Sequence, residues 1–297
     1  KSAYVFTQDQ KSVEKIRKEA EAAVSLGIPA EFVPETPLPF PVLGAVRFTD
    51  QAQFHPRKYV LALAENIPGD GSYIFENTRA VDVDEGETCT IKTVNGKKVK
   101  ARHVIIASHY PFYDGKGMYF ARMYPSRSYL LAFKVEEDIP DGMFINVDTP
   151  GMTLRSQSHE GGRILIFGGE AHKTAHGEQT SAHYENLRKL VRTMFTVKEE
   201  LYHWSTQDYY TLDGIPYVGR LTSNTPNIYV ATGFKKWGMT NSTAAAIIIK
   251  DLIIKGKSSW EGIYSPQRAA TGTAAATFIA QNADVAMQLI SGKIENP

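Results

Sequence analysis

The residues with the most chemical promise lie between Asn227 and Ile253, in NIYVATGFKKWGMTNSTAAAIIIKDLI, where an apolar strand runs into a glycine-punctuated turn and an apolar helix. A helix that begins just after a strand presents free backbone N–H groups and the positive end of its dipole, which together stabilise negative charge. Gly233 and Gly238 let the backbone approach a ligand closely, and Thr240, Asn241 and Ser242 offer polar side chains near the first turn. A plainer account has the glycines only permit a tight turn and the polar residues cap the helix; glycine spacing alone leaves both open. Two other segments favour a ligand. DGIPYVG, Asp213 to Gly219, sets Gly214 in a second rigid turn, and VIIASHYPF is an apolar strand ending at Ala107 and Ser108, side chains too small to fill a pocket. Open α/β sheets bind ligands beyond the carboxyl ends of their strands.

Other candidates are weaker. Glu170, His172 and His176 could share a metal, since histidines four apart face one way on a helix, but a solvated loop explains them more simply. His55 and Arg57 flank a helix start, where capping competes with a role in a substrate cleft. Tyr209 and Tyr210 suit core or cleft equally. Lys235 and Lys236, beside the glycine turn, could stabilise an anion or simply be solvated.

These residues need a framework of ordinary globular character. Of the 297 residues 42% are hydrophobic and 22% charged, which excludes disorder of the whole chain. Lys and Arg number 33 against 32 Asp and Glu, without single-sign blocks, so no footprint for nucleic acid or an anionic membrane exists and a small-molecule partner is the default. One cysteine, Cys89, excludes internal disulfides and fits a reducing, cytoplasmic setting. The longest apolar run, Ala244 to Ile249, falls far short of the roughly 20 residues that span a bilayer. The N-terminus lacks a signal peptide and an initiator Met, as expected of a segment from a longer gene product.

Along the chain, Ala3 to Phe6 reads as a strand, and Val13, Ile16, Ala20 and Ala23 give Asp9 to Leu26 helical spacing, stopped by Gly27. Five prolines between 29 and 41 impose an extended connection. Pro56 opens a second helix. From Ser72 strands dominate, with Asn95-Gly96 marking a type I′ hairpin and VIIAS reading as a strand buried on both faces. Segments 128–135, 143–147, 152–156 and 163–168 suggest an antiparallel sheet, against which a helix from Ser181 to Phe195 packs. A turn at TLDGIPYVG, the strand NIYVATG and a helix from Gly238 to about Ile254 follow. The Ala/Thr-rich residues 266–297 read as a peripheral helix or linker.

At this point the sequence resembles the FAD-dependent amine and amino-acid oxidoreductases, which include glycine oxidase, sarcosine oxidase and D-amino-acid dehydrogenase. The match rests on WSTQDYYTLDGIPYVGRLTSNTPNIYVATGFKKWGMT, supported by GIPAEFV, HPRKY, NTRAVDVDEG and ARHVIIAS. The resemblance implies a mixed α/β fold of two parts: a glutathione-reductase-type flavin domain, partial here, and a substrate domain with a large mixed, mainly antiparallel sheet. It implies residues 1–78 and 112–208 in the substrate domain, 79–111 and 209–256 in the flavin domain, and 257–297 as tail or linker. It carries over Gly233, Phe234, Trp237, Gly238, Met239 and Thr240 as contacts of the isoalloxazine side, Gly214 as a further cofactor-binding position, Val81 near the adenine, and Ala107 and Ser108 along the cofactor. His55, Arg57, Asp208, Tyr210 and Lys236 become candidates for the substrate side.

Two departures qualify the resemblance. The family's N-terminal G-x-G-x-x-G, which cradles the pyrophosphate, is absent, as though roughly the first hundred residues of the pattern were missing. Weak or no FAD binding by this chain, and exposed sheet edges, are the expectations. The arginine that holds a substrate carboxylate in glycine oxidase-like relatives falls on Asp208, which favours an amine donor over an ordinary amino acid. Some relatives carry a Rieske domain; its Cys and His ligands are absent after Gly233, so a 2Fe-2S cluster would lie beyond Pro297. The expected function is oxidation of an amine or amino-acid-like donor by hydride transfer to flavin, with no catalytic side chain identifiable and oxygen, a quinone or an iron-sulfur domain as acceptor. The alternative is an inactive binding module with a vestigial flavin pocket.

Overall fold

Alternating apolar and polar residues build fourteen strands among the described residues, and a computed structural model describes residues 1–174 and 179–268. His176 and the tail from 269 lie outside the described residues. In chain order the strands are β1 (Ala3–Thr7), β2 (Ala30–Val33), β3 (Gly44–Phe48), β4 (Ala80–Asp84), β5 (Cys89–Thr93), β6 (Lys98–Ala101), β7 (Val104–Ile106), β8 (Met123–Val135), β9 (Met143–Asn146), β10 (Met152–His159), β11 (Gly162–Lys173), β12 (Val197–Thr211), β13 (Tyr217–Arg220) and β14 (Ile228–Thr232). The helices are α1 (Val13–Ser25), α2 (Pro56–Ala64), α3 (Tyr119–Arg122), α4 (Thr180–Arg192), α5 (Gly238–Lys255) and α6 (Glu261–Tyr264). None is long and apolar enough, among the described residues, to cross a membrane.

The chain divides into two units, 1–59 with 127–207 and 60–126 with 208–297. Residues 60–78 and 112–126, grouped by the resemblance with the substrate segments, pack in the second unit.

The first unit is built on the eight-stranded sheet β12-β8-β11-β10-β9-β1-β3-β2. It is mixed: β1 runs parallel to β9, whereas β1–β3, β2–β3, β9–β10 and β10–β11 are antiparallel. Because strand side chains alternate, one face collects Phe6, Leu131, Phe144, Leu154 and Phe167 into the main core. Helix α4 closes that face with Leu187 and Val191, four residues apart and fully buried. On the other face α1 lays Ile16 and Ala20 against Val46, and stops where Gly27 turns left-handed at φ 73°.

The second unit contains two three-stranded sheets, β13-β14-β7 and β4-β5-β6. Val104, Ile106, Tyr217, Ile228 and Val230 share a core with Val83 and Cys89, and α5 packs Ala245, Ile248, Ile249 and Leu252 against Val218 and Tyr229. The turn before β13 is pinned by one ion pair. Arg268 grips Asp213 with both arms at 2.6 and 2.7 Å, donates to the Ile215 carbonyl at 2.7 Å, and lies 4.3 Å from the Tyr217 ring centre.

Three local expectations change. The Asn95-Gly96 hairpin forms, but only Gly96 is left-handed, at φ 77°, so the turn is not type I′. The loop spans 94–97, with Gly96 N–H bonded to the Thr93 carbonyl and the Thr93 hydroxyl donating to Asn95. That is a type I turn closed by a left-handed glycine bulge, which absorbs one extra residue before Thr93 N–H bonds the Lys97 carbonyl. Strand β7 is buried on one side only: Ile105 is 50% exposed, on the face opposite the buried Val104 and Ile106. The 15-residue β12 was not foreseen; its exposed Tyr202, His203 and Trp204 blur the alternation that marks a half-buried strand.

Phe167→Ala removes a fully buried ring from the centre of the first core and is expected to cost about 3–5 kcal/mol in urea unfolding. At Asp213, burial alone would raise the carboxyl, but Arg268 and the Ile215 N–H outweigh it and hold it below its ordinary value. A lowered folded-state pKa gives stability that is complete above the unfolded value of about 4 and lost as pH falls through the folded one. Arg268→Met leaves Asp213 buried and unpaired; a loss of about 3–5 kcal/mol is expected at neutral pH. The gap from the parent protein should narrow below about pH 4 in urea midpoints taken across pH.

Candidate functional site

Every residue of β14 is buried, so the chain can leave the strand only through a sharp, well-packed turn. Gly233 provides it with φ 75°; a Cβ there would collide with the Thr211 methyl and lie 3.5 Å from Met123 Sδ. Thr211 is itself fixed by donating to the Ile215 carbonyl at 2.8 Å. Phe234 then bridges to Tyr210, Lys235 donates its N–H to the Tyr209 carbonyl at 3.1 Å, and α5 begins at Gly238.

That helix start carries no side-chain cap. Its first intrahelical bond runs from Asn241 N–H to the Trp237 carbonyl, so the N–H groups of Gly238, Met239 and Thr240 precede it and have no helical acceptor. Ser242 and Thr243 turn their hydroxyls to the Met239 carbonyl instead of capping these donors. Nothing lies within 4 Å of a Cβ built on Gly238, which leaves the approach open, and Trp237 is 68% exposed beside it.

Charges converge on the same turn. Gly214, at φ 77°, leaves room for Lys235, whose Nζ would stand 2.6 Å from a Cβ there and sits 5.9 Å from the Tyr210 ring centre. Tyr210 stacks on Tyr124 at 5.5 Å, and burial followed by the Asp208 charge raises its hydroxyl pKa. Asp208 is paired with Lys236 at 3.1 Å, so the anion at the position of the expected arginine is neutralised by its neighbour.

A cavity of about 590 Å³ lies along the flank of α5, lined by Ile105, Ala107, Ala231, Gly233, Phe234 and Ala246 among others. Its lining is almost wholly apolar, and it accompanies the edge strand β7 instead of the helix start. Its chemistry suits aliphatic packing; the polar donors are at the α5 start. Ser108 is exposed and donates its hydroxyl to the Tyr110 carbonyl at 2.7 Å.

The structure thus gathers Gly214, Gly233, Phe234, Trp237, Gly238, Met239, Thr240, Asp208, Tyr210 and Lys236 into one unit around one turn. Ala107 lines the adjoining cavity, whereas Val81 is on the other small sheet, 41% exposed. His55 and Arg57 belong to the first unit, where His55 Nδ1 accepts the Lys58 N–H at 3.4 Å in the manner of a helix cap. Glu170 accepts from His183 at 2.8 Å and His172 contacts the Tyr129 hydroxyl at 3.0 Å; no group of three or more metal-ligating side chains occurs among the described residues. Thr211, Met123 and Tyr124 escaped the sequence reading, because they reach the turn from strands remote in sequence.

Three N–H donors at the positive end of an 18-residue helix, with a lysine nearby, fit the electron-rich pyrimidine edge of a flavin ring. The glycine-rich pyrophosphate cradle is not among the described residues, so the fit extends to the ring end of FAD only.

The chain is similar to several known proteins. The chain is 42% identical over 295 residues to YhfW of Bacillus subtilis (strain 168), which is named as a Rieske 2Fe-2S iron-sulfur protein; the match covers 99% of this chain and 58% of YhfW. This chain therefore spans little more than half of that relative. Glycine oxidase from Geobacillus kaustophilus superimposes with a TM-score of 0.76 at 18% identity, over 91% of this chain and 75% of that one. L-proline dehydrogenase from P. horikoshii gives 0.71 at 18% identity, over 89% and 75%. Since the family model for FAD dependent oxidoreductases of the DAO type matches residues 1–252, this chain belongs to that family.

Proposed function

We propose that the chain is part of an FAD-dependent oxidoreductase that oxidises an amine or amino-acid-like donor, with the second unit contributing to the flavin domain and the first forming the substrate domain. The observation that carries this reading is the uncapped start of α5 behind the Gly233 turn. Bound FAD would supply the acceptor for a hydride from a C–H next to nitrogen. The backbone donors of Gly238, Met239 and Thr240 would stabilise negative charge at the ring's pyrimidine edge, with Lys235 adding a cation. Gly233 would let the backbone come close to the ring plane. The Asp208–Lys236 pair leaves the former arginine position without a free cation, which supports a donor that needs no carboxylate clamp there.

The apolar cavity beside β7 takes a separate part in this reading. A parallel strand at a sheet edge with a half-exposed Ile105 suits coverage by a further strand and helix of the same domain, the part that bears the dinucleotide motif. YhfW's name supports a 2Fe-2S domain beyond Pro297 as electron acceptor. A second reading, an inactive module with a vestigial pocket, is favoured by Asp208 at the arginine position.

The absorption spectrum of the intact protein separates the two. The enzyme reading expects bound flavin that bleaches anaerobically with a member of an amine and amino-acid panel. A colourless protein that takes up no added FAD supports the inactive module and overturns the enzyme. Gly233→Ala should cost about 2 kcal/mol or more in stability, since it combines a left-handed backbone with the Thr211 clash. Adding Thr211→Ser, which removes the methyl and keeps the hydroxyl, should recover part of that loss in the same thermal or urea assay.

A further inference from the structure

The segment that follows α5 doubles back along β13. Beside the far end of the helix, Arg220 donates to Glu261 at 3.1 Å and to the Gly256 carbonyl at 3.3 Å. Gln267 then donates to the Arg220 carbonyl at 3.0 Å, and Arg122 to the Pro266 carbonyl. Tyr217 pairs with Thr232 and Arg220 with Tyr229, so β13 leads from the Gly233 end of β14 toward its start. The strap 261–268 follows β13 in the reverse sense and ends with Arg268 at the turn before that strand. There the guanidinium donates to the Ile215 and Pro216 carbonyls at 2.7 and 3.2 Å as well as to both oxygens of Asp213. Asp213 in turn accepts the Ile215 N–H at 3.1 Å. With 9% and 7% of the two side chains exposed, this bidentate pair holds the turn in one geometry.

The flavin-side turn leans on that geometry at two points. The Thr211 methyl abuts Gly233, and the absent Cβ of Gly214 is the space that Lys235 Nζ occupies. Lys235 is half-buried. Its ammonium makes no hydrogen bond or ion pair with the described residues and lies 5.9 Å from the Tyr210 ring centre, whereas the neighbouring Lys236 is paired with Asp208. A partly dehydrated cation without a counter-ion acts at full strength on negative charge that develops beside it, provided that it is held in place.

We propose that Arg268 is a positioning residue: through Asp213 and the Gly214 turn, the strap fixes the ammonium of Lys235 at the start of α5 and so raises the reduction potential of flavin bound there. This inference rests on the flavin reading of the α5 start. It adds a control on that site from a segment that does not touch it.

The reduction potential of the flavin in the intact protein, measured by equilibration with a reference dye, tests the assignment. Lys235→Met should shift the reduction equilibrium about tenfold toward the oxidised ring, or ~30 mV for a two-electron couple. Arg268→Met should lower the potential by about threefold in the same constant (~15 mV), and Arg268→Lys, which keeps the charge without the fork, should recover part of the fall. Gly214→Ala crowds the ammonium and leaves the ion pair intact, so it should reproduce the fall. Were Arg268→Met unfolded, Gly214→Ala and Arg268→Lys would decide. In the Lys235→Met protein, adding Arg268→Met should change the potential no further, because the two residues act through one ammonium. A further fall there assigns the effect to the charge of Arg268 itself or to general loosening and overturns the positioning role. An intact protein that takes up no flavin overturns the flavin reading and this inference together; a flavin-loaded protein whose potential is the same in all the variants overturns this inference alone.

Discussion

The left-handed exit of the chain from a strand with no exposed residue is the constraint on which the candidate site depends. β14 is held on one side by β13 and on the other by β7, and its face packs on α5, so its end has almost no freedom. Gly233 alone permits the turn, because Thr211 fills the space that any Cβ would need. Everything downstream inherits that position: the Phe234 bridge, the Lys235 backbone bond and the first N–H groups of α5. Rigidity here suits the proposed flavin contact, since dipoles that are already oriented stabilise charge without reorganising.

A second constraint acts on the upstream turn. Asp213 and Arg268 are both nearly buried, and their pairing fixes the Gly214 backbone that leaves space for Lys235. The cation beside the α5 start is thus placed by residues about fifty positions apart in sequence. Asp208 and Lys236 add local neutrality in the same unit. The arrangement concentrates polar character at one end of α5, while the flank of that helix stays aliphatic.

Much of this was legible in the sequence where local rules dominate. The periodicity of Ile16, Ala20 and Ala23 placed α1, and the apolar run of NIYVATG with Gly233 and Gly238 located β14, its turn and α5. Motif resemblance led to the family and to the mixed sheet. What stayed hidden depends on partners far along the chain. Thr211 and Tyr124 contribute through β12 and β8, which no spacing rule connects to residue 233. The Asn95-Gly96 pair shows the limit of turn signatures, since loop length, set by the pairing of Lys92 with Lys98, selected the turn type.

The half-covered edge strand also shapes how this chain unfolds. Ile105 and Ile254, which line the apolar groove, are 50% and 72% exposed, so part of the apolar surface of the second unit is already hydrated in the folded state. Unfolding then uncovers less new apolar area than the same residues would if the groove were filled. The denaturant dependence and the heat-capacity increment both scale with that area, which gives the uncovered unit a shallower urea slope and a flatter temperature curve.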